Sequence, residues 1–228
     1  MITEVSQLIS QLVSEMETTI SGDYNILDQR TDICSTKWLR EGRVVTTDQP
    51  ESYTIMDLEP DQWAIGEPIV DPLSVMEGVI QLPVPTFMFG TKLATNLEWT
   101  KMSNDVKTKT PIIWLLETTR EKVFGRGDSR EREFEIRMYF LDETNIKDYA
   151  TKDHREQVVR PMQQLVMEFI ETIKRSRVYQ TIEEYEMYAF SRFGVQKDNG
   201  MFQNILDANL SGVELRLTLT KFKENCKC

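Results

Sequence analysis

An α+β fold, an antiparallel sheet with amphipathic helices packed on one face, is predicted by three features of the sequence. Two segments alternate strictly between apolar and polar residues, and two others repeat apolar residues at three- and four-residue steps. A proline-rich stretch fits neither period and is expected to be irregular. The 228 residues suffice for a sizeable core. We read 1–228 as a single α+β domain, with 46–86 an insertion or arm within it.

The first amphipathic segment carries Ile2, Val5, Leu8, Ile9, Leu12, Val13, Met16 and Ile20 on one stripe, with Glu4, Gln11, Glu15 and Glu17 outside it. Thr3 suits its N-terminal cap, and Gly22 followed by Asp23 is expected to stop it. Between residues 42 and 89 lie six of the eight prolines, each lacking an N–H and fixing φ. No long helix or central strand fits there, although 79–82 and 84–89 can form edge strands.

From Thr110 onward the pattern is clean. Ile112, Ile113, Trp114, Leu115 and Leu116 make a continuous apolar run suited to a strand buried on both faces. A charged, glycine-bearing connection, 120–132, leads into a half-buried strand. There Phe134, Ile136, Met138 and Phe140 face one way, and Glu133, Glu135, Arg137 and Tyr139 the other. The two strands form a hairpin, and burying its four alternating apolar side chains contributes roughly 6–12 kcal/mol before chain entropy is subtracted. Those side chains need a helix above them, which Val158, Met162, Leu165, Val166, Phe169, Ile170 and Ile173 supply. Asp153 and Glu156 have the spacing of a capping box, and Pro161 either kinks the first turns or marks the start of the regular helix. Residues 187–193 are strand-like. The closing strand, opened by Gly212, sets Val213, Leu215, Leu217 and Leu219 against Glu214, Arg216, Thr218 and Thr220.

Composition excludes several functions. The formal charge is −10 and no basic block occurs, which disfavours gripping a phosphate backbone. No run approaches the roughly 18 apolar residues that span a bilayer, so no membrane association is expected. The first twenty residues hold three glutamates and no Lys or Arg, the reverse of a secretion signal. Three cysteines, Cys34, Cys226 and Cys228, point to free thiols in a reducing compartment, and Cys226 with Cys228 makes only half a tetrahedral metal site. His154 is the single histidine, so a Cys34–His154 pair is the one nucleophilic arrangement on paper, and it is a weak signal. With no Gly-rich phosphate loop and no Gly-x-Ser-x-Gly elbow, we expect no enzyme activity, no cofactor and no metal.

The candidate contact residues lie on the second sheet face and in the hairpin connection. Glu133, Glu135, Arg137, Glu214 and Arg216 give that face charges of both signs. A solvated face explains them, as does a repeating subunit contact in which opposite charges fix register. In the connection, Arg126 and Asp128 belong to an Arg-Gly-Asp tripeptide, and Arg130 follows it. Gly and Asp are also what a turn requires. A solvated loop, a docking or DNA-facing finger, and an adhesion ligand all accommodate it.

The linear order now resembles a known family. The N-terminal helix is followed by Phe87-Met88-Phe89-Gly90-Thr91, Asn96-Leu97-Glu98, Pro111-Ile112-Ile113-Trp114-Leu115, Arg137-Met138-Tyr139-Phe140-Leu141-Asp142, the helix 160–173, Gly212-Val213-Glu214-Leu215 and terminal cysteines. This resembles the tail-terminator and neck (head–tail joining) ring proteins of tailed bacteriophages, over roughly residues 1–45 and 87–228. The resemblance implies a structural virion protein, made in the bacterial host cytoplasm. Such a protein forms a homo-oligomeric ring, usually a hexamer, that caps the tail tube and joins it to the head connector. Its partners would be tail-tube and connector proteins, with DNA only passing through the lumen, and no catalytic residues carry over. The insertion at 46–86 departs from the family's small members and leaves a connector ring or a baseplate-side collar open. A non-enzymatic adaptor or chaperone-like module is the alternative.

Overall fold

In the computed structural model the two alternating segments pair with each other and the rest of the chain is arranged around them. Described are residues 4–25, 30–33, 37–47, 52–58, 62–66, 79–102, 105–117, 119–125, 131–145, 150–180, 182–193, 195–198, 201–204, 206 and 208–221. The first elements are α1 (Val5–Ser14), β1 (Thr19–Asn25), β2 (Arg30–Ile33), β3 (Val44–Thr47), β4 (Ser52–Leu58), β5 (Gln62–Gly66), β6 (Val79–Gln81) and β7 (Thr86–Gly90). Next come α2 (Lys92–Lys101), α3 (Val106–Lys109), β8 (Ile112–Leu116), β9 (Arg120–Phe124) and β10 (Glu131–Glu143). The chain continues through α4 (Thr151–His154), a π-helical turn (Arg155–Val159), α5 (Arg160–Ser176), β11 (Tyr185–Phe190), β12 (Val195–Asp198), β13 (Met201–Asn204) and β14 (Leu210–Lys221).

The fold is α+β. One sheet runs β11-β14-β10-β8-β7, with β9 also pairing β10. All its neighbours are antiparallel except β7 and β8. The hairpin expected around residue 125 is present, and its first arm is longer than the apolar run alone. After a break at 116–119 the chain returns to the ladder as β9, so that Arg120 to Phe124, expected to lie in the connection, form a strand.

Alternation sorts each strand's side chains between two apolar clusters. Phe134, Ile136, Met138, Phe140, Val213, Leu215, Leu217 and Leu219 lie under α5 and α1. From α5, Met162, Leu165, Val166, Phe169, Ile170 and Ile173 are buried, the face read from the sequence. The opposite face is not bare: Trp99 of α2 packs with Met88, Ile112, Trp114, Tyr139 and Leu141 in a second cluster. Helices therefore cover both faces. The low amphipathicity of α2, whose Leu93 and Leu97 are exposed, hid this from periodicity.

Two boundaries differ from expectation. Helix α1 ends at Ser14, not at Gly22, because the β-branched Thr19 and Ile20 open the strand β1. The Leu82 N–H donates to the Thr18 carbonyl at 2.7 Å, and Ile20 lies opposite Ile80. Asp153 is the third residue of α4 rather than its cap, and its carboxylate accepts from the Ala150 N–H at 3.0 Å. Pro161 is the second residue of α5, but α4, the π-helical turn and α5 follow one another without a break, so the missing N–H falls just after the π-helical turn and not at a free helix start. Thr3 lies outside the described residues.

The stretch 46–86 is not irregular throughout. It contributes β4, β5 and β6, which close with β1, β2 and β3 into a six-stranded barrel in the order β1-β2-β5-β4-β3-β6. In sequence, β4 falls between Pro50 and Pro60, and β5 between Pro60 and Pro68. The prolines punctuate strands rather than forbid them. Ile20, Val45, Ile55 and Ile80 are buried in the barrel and join the apolar cluster beneath α5.

A buried charge cluster ties the barrel to the sheet. Asp142, at the end of β10, is 1% exposed and pairs with both Arg40 and Arg43 from the segment leading into β3. Arg43 also donates to the Thr110 hydroxyl at 2.6 Å and the Lys107 carbonyl at 3.0 Å, and Arg40 to the Glu143 carbonyl at 2.9 Å. Burial lowers the Arg43 pKa, while Asp142 pulls it back up.

Two substitutions test this framework. Gly212 has φ +152° and lies opposite Leu141, so an added Cβ would collide with the Phe140 carbonyl oxygen. Gly212→Ala is expected to cost about 3 kcal/mol of unfolding free energy in urea titration. Asp142→Asn strands two buried guanidiniums without a counter-charge and is expected to cost about 3 kcal/mol in the same measurement.

Candidate functional site

The polar half of the second sheet face is built by register. On β10, Glu133, Glu135 and Arg137 project to one side, and the same parity then turns apolar at Tyr139 and Leu141. Opposite them on β14 lie Thr220, Thr218 and Arg216, while Glu214 faces Tyr139. On β11, Glu186 lies against Arg216 and Tyr188 against Glu214. On β9, Lys122 lies against Glu133 and Arg120 against Glu135. One four-strand face thus gathers all five sheet residues marked as candidates.

Their charges pair within the chain. Arg120 reaches Glu135 at 3.0 Å and Lys122 reaches Glu133 at 3.7 Å, both largely in solvent. Arg137 and Arg216 sit directly opposite each other, an arrangement that repels unless a carboxylate intervenes. Glu214 intervenes: it takes Arg137 through two nitrogens, at 2.6 and 2.9 Å, and also pairs with Arg216. The Glu214 side chain is 9% exposed. Burial pushes its pKa up, but the hydrogen bonds from Arg137 and Arg216 outweigh this and hold it below the usual carboxylate value. The bond to Glu214 raises Arg137, and burial raises Tyr139. Glu214 and Arg137 are therefore held charged and Tyr139 neutral at neutral pH, which suits recognition by shape and charge and not proton transfer at these groups.

Aromatic rings border the charges. The Arg216 guanidinium lies 4.7 Å from the Tyr188 ring centre and that of Arg137 5.5 Å from Tyr139. Behind Tyr139 a packed group forms, with Tyr139–Phe193 at 4.9 Å and Trp114–Phe193 at 5.6 Å. Toward the other end the face opens into a groove of about 860 Å³ lined by Arg120, Glu135, Arg137, Glu183, Glu184, Glu186 and Arg216 among others. Glu183, Glu184 and Glu186 were not singled out from the sequence. A run of acids just before an aromatic strand was the available signal.

Of the remaining candidates, Arg126, Asp128 and Arg130 lie outside the described residues, as do Cys34, Cys226 and Cys228. His154 is buried, and its Nδ1 lies 3.0 Å from the Thr144 hydroxyl. Among the described residues no group of three or more His, Cys, Asp or Glu is placed to hold a metal ion. No helix among them is long and apolar enough to cross a membrane. No protein-family model, no curated protein and no solved structure matches the chain.

The titrations give a signed pH dependence. Burial lowers the His154 pKa from its ordinary 6.5, so the unfolded chain takes up a proton that the folded chain resists. Glu214, lowered from 4.5, acts in the same direction at lower pH. Stability is expected to fall as pH drops below about 6.5 and again below about 4.5. Urea titrations across this range check it, with His154→Gln removing the first stage and leaving the second.

Proposed function

We propose that the chain is a structural subunit of a tailed-bacteriophage virion, of the tail-terminator or neck type, which works by closing into a ring with copies of itself. One observation carries this reading. Among the described residues the sheet ends in β11 on one side, paired with β14 alone, and in β7 on the other, paired with β8 alone, while β9 pairs with β10 alone on the same side as β8. Monomeric proteins blunt such edges with short strands, charged side chains, prolines or bulges. Here β9 and β11 are five and six residues long and without proline, and beside the charges Arg120, Lys122 and Glu186 they carry exposed Val123, Phe124, Met187 and Tyr188.

Two different edges on opposite sides of one block make a heterologous contact, which closes into a ring when the rotation between copies divides a full turn. The order of elements in the resembling phage proteins supports the place in the virion, at the joint between tail tube and head connector. A chain of net charge −10 suits a lumen through which DNA slides without sticking. The chemistry of such a subunit is contact, and its fixed ion pairs serve orientation.

Native mass spectrometry and negative-stain imaging, with the protein alone and with tail tubes of the phage that encodes it, test the reading. A ring, with six subunits expected, supports it. A persistent monomer in both settings overturns it.

A further inference from the structure

The two end strands of the sheet, β11 and β7, match each other. Along β11-β14-β10-β8 every neighbour is antiparallel and β8 is parallel to β7, so β11 and β7 run in opposite directions. They also lie level. Reading the ladders across, Met187 aligns with Leu215, Met138, Leu115 and Phe89, and Ala189 with Val213, Phe140, Ile113 and Phe87. A second copy that continues the sheet at the same level therefore sets its β7 against β11 as an antiparallel strand.

Backbone direction decides whether two such strands pair. The Thr86 N–H donates to the Pro111 carbonyl at 2.8 Å, so Thr86, Met88 and Gly90 turn their backbone groups to β8, and Phe87 and Phe89 turn theirs outward. On the other side the Thr144 N–H donates to the Asn209 carbonyl at 2.9 Å, which fixes the phase of the β10–β14 ladder. In that phase Val213 and Leu215 bond to β10, and Glu214 and Arg216 bond to Tyr188 and Glu186, leaving Met187 and Ala189 turned to the open edge. No described residue hydrogen-bonds the outward backbone groups of Phe87, Phe89, Met187 or Ala189. Their side chains share the α5 side of the sheet, and Met187 and Phe89 are 36% and 37% exposed there. Carried past the strands, the same alignment takes exposed Glu184 to exposed Lys92 in the first turn of α2, whose positive pole favours an acid.

From this we infer that β7 of one subunit adds to β11 of the next, with Phe89 opposite Met187 and Phe87 opposite Ala189. The occupant of the β11 edge is a second copy of the same chain, because one molecule carries two edges that agree in direction, level, backbone phase and face. The inference rests on the ring reading and names its contact.

Introduced thiols test it. A variant with Phe89→Cys and Met187→Cys is mildly oxidised at the concentration where the wild type assembles, and linked peptides are mapped by mass spectrometry. The two positions lie at opposite ends of one sheet, so a link between them joins two chains. That link is expected, in ladders up to a closed ring. Phe89→Cys with Ala189→Cys, two residues out of step, is expected to link at least tenfold less. Met187→Pro removes only an outward N–H and is expected to keep its melting temperature within a few degrees while assembling at least tenfold more weakly in native mass spectrometry. If the wild type forms rings and the first pair does not link, the displaced pair links equally, or folded Met187→Pro assembles unchanged, the strand contact is wrong while the ring reading stands. A link through Met187→Cys alone marks two-fold pairing of β11 with itself and overturns the contact too. If the wild type itself never assembles, both fail.

Discussion

Twelve residues of β10 lie opposite twelve of β14, from Arg132 against Lys221 to Glu143 against Leu210. Side chains alternate with a period of two, so this one register decides both faces of the sheet at once. A slip by a single residue would carry Phe134, Ile136, Met138 and Phe140 from under α5 into water and bring Glu133, Glu135 and Arg137 beneath the helix. The same register sets Gly212 against Leu141, where the close approach of the Phe140 carbonyl leaves no room for a Cβ. It also sets Arg137 against Arg216 with Glu214 one step along the ladder. Core, backbone contact and polar site are consequences of one alignment.

The barrel is held to this sheet by a different kind of force. Apolar contact through Val45, Ile55 and Ile80 is non-directional and would tolerate rotation of the barrel over the sheet. The Asp142 carboxylate does not. It must meet Arg40 and Arg43 while those guanidiniums also reach the Glu143, Lys107 and Thr110 oxygens. Burying two cations and one anion is unfavourable unless every donor is satisfied, so the cluster gives up some stability for orientation.

How far the sequence foretold this structure depends on which force dominated locally. The helix at 160–176 and the strands around Phe134 and Leu215 were legible because one face is buried and the other is not, which writes a period into the residues. The barrel was not legible. Its strands are short, and prolines spaced eight to ten residues apart, such as Pro50, Pro60 and Pro68, erase any window long enough to show alternation. Helix α2 was missed because a single large residue, Trp99, does most of its packing. Tertiary pairing overrode a good helical pattern at Ile20. The site was half legible: Glu133, Glu135, Arg137, Glu214 and Arg216 followed from alternation. Which charges met which required the register, and the acids before β11 belong to no period.

The polar face also explains why its charges are mixed rather than uniform. Arg120, Lys122, Arg137 and Arg216 are matched by Glu133, Glu135, Glu214 and Glu186, so the face interior is close to neutral. A neutral, mutually paired floor exerts little long-range force on a partner and resists nonspecific association. Outside these pairs, Glu183 and Glu184 lie exposed just before β11.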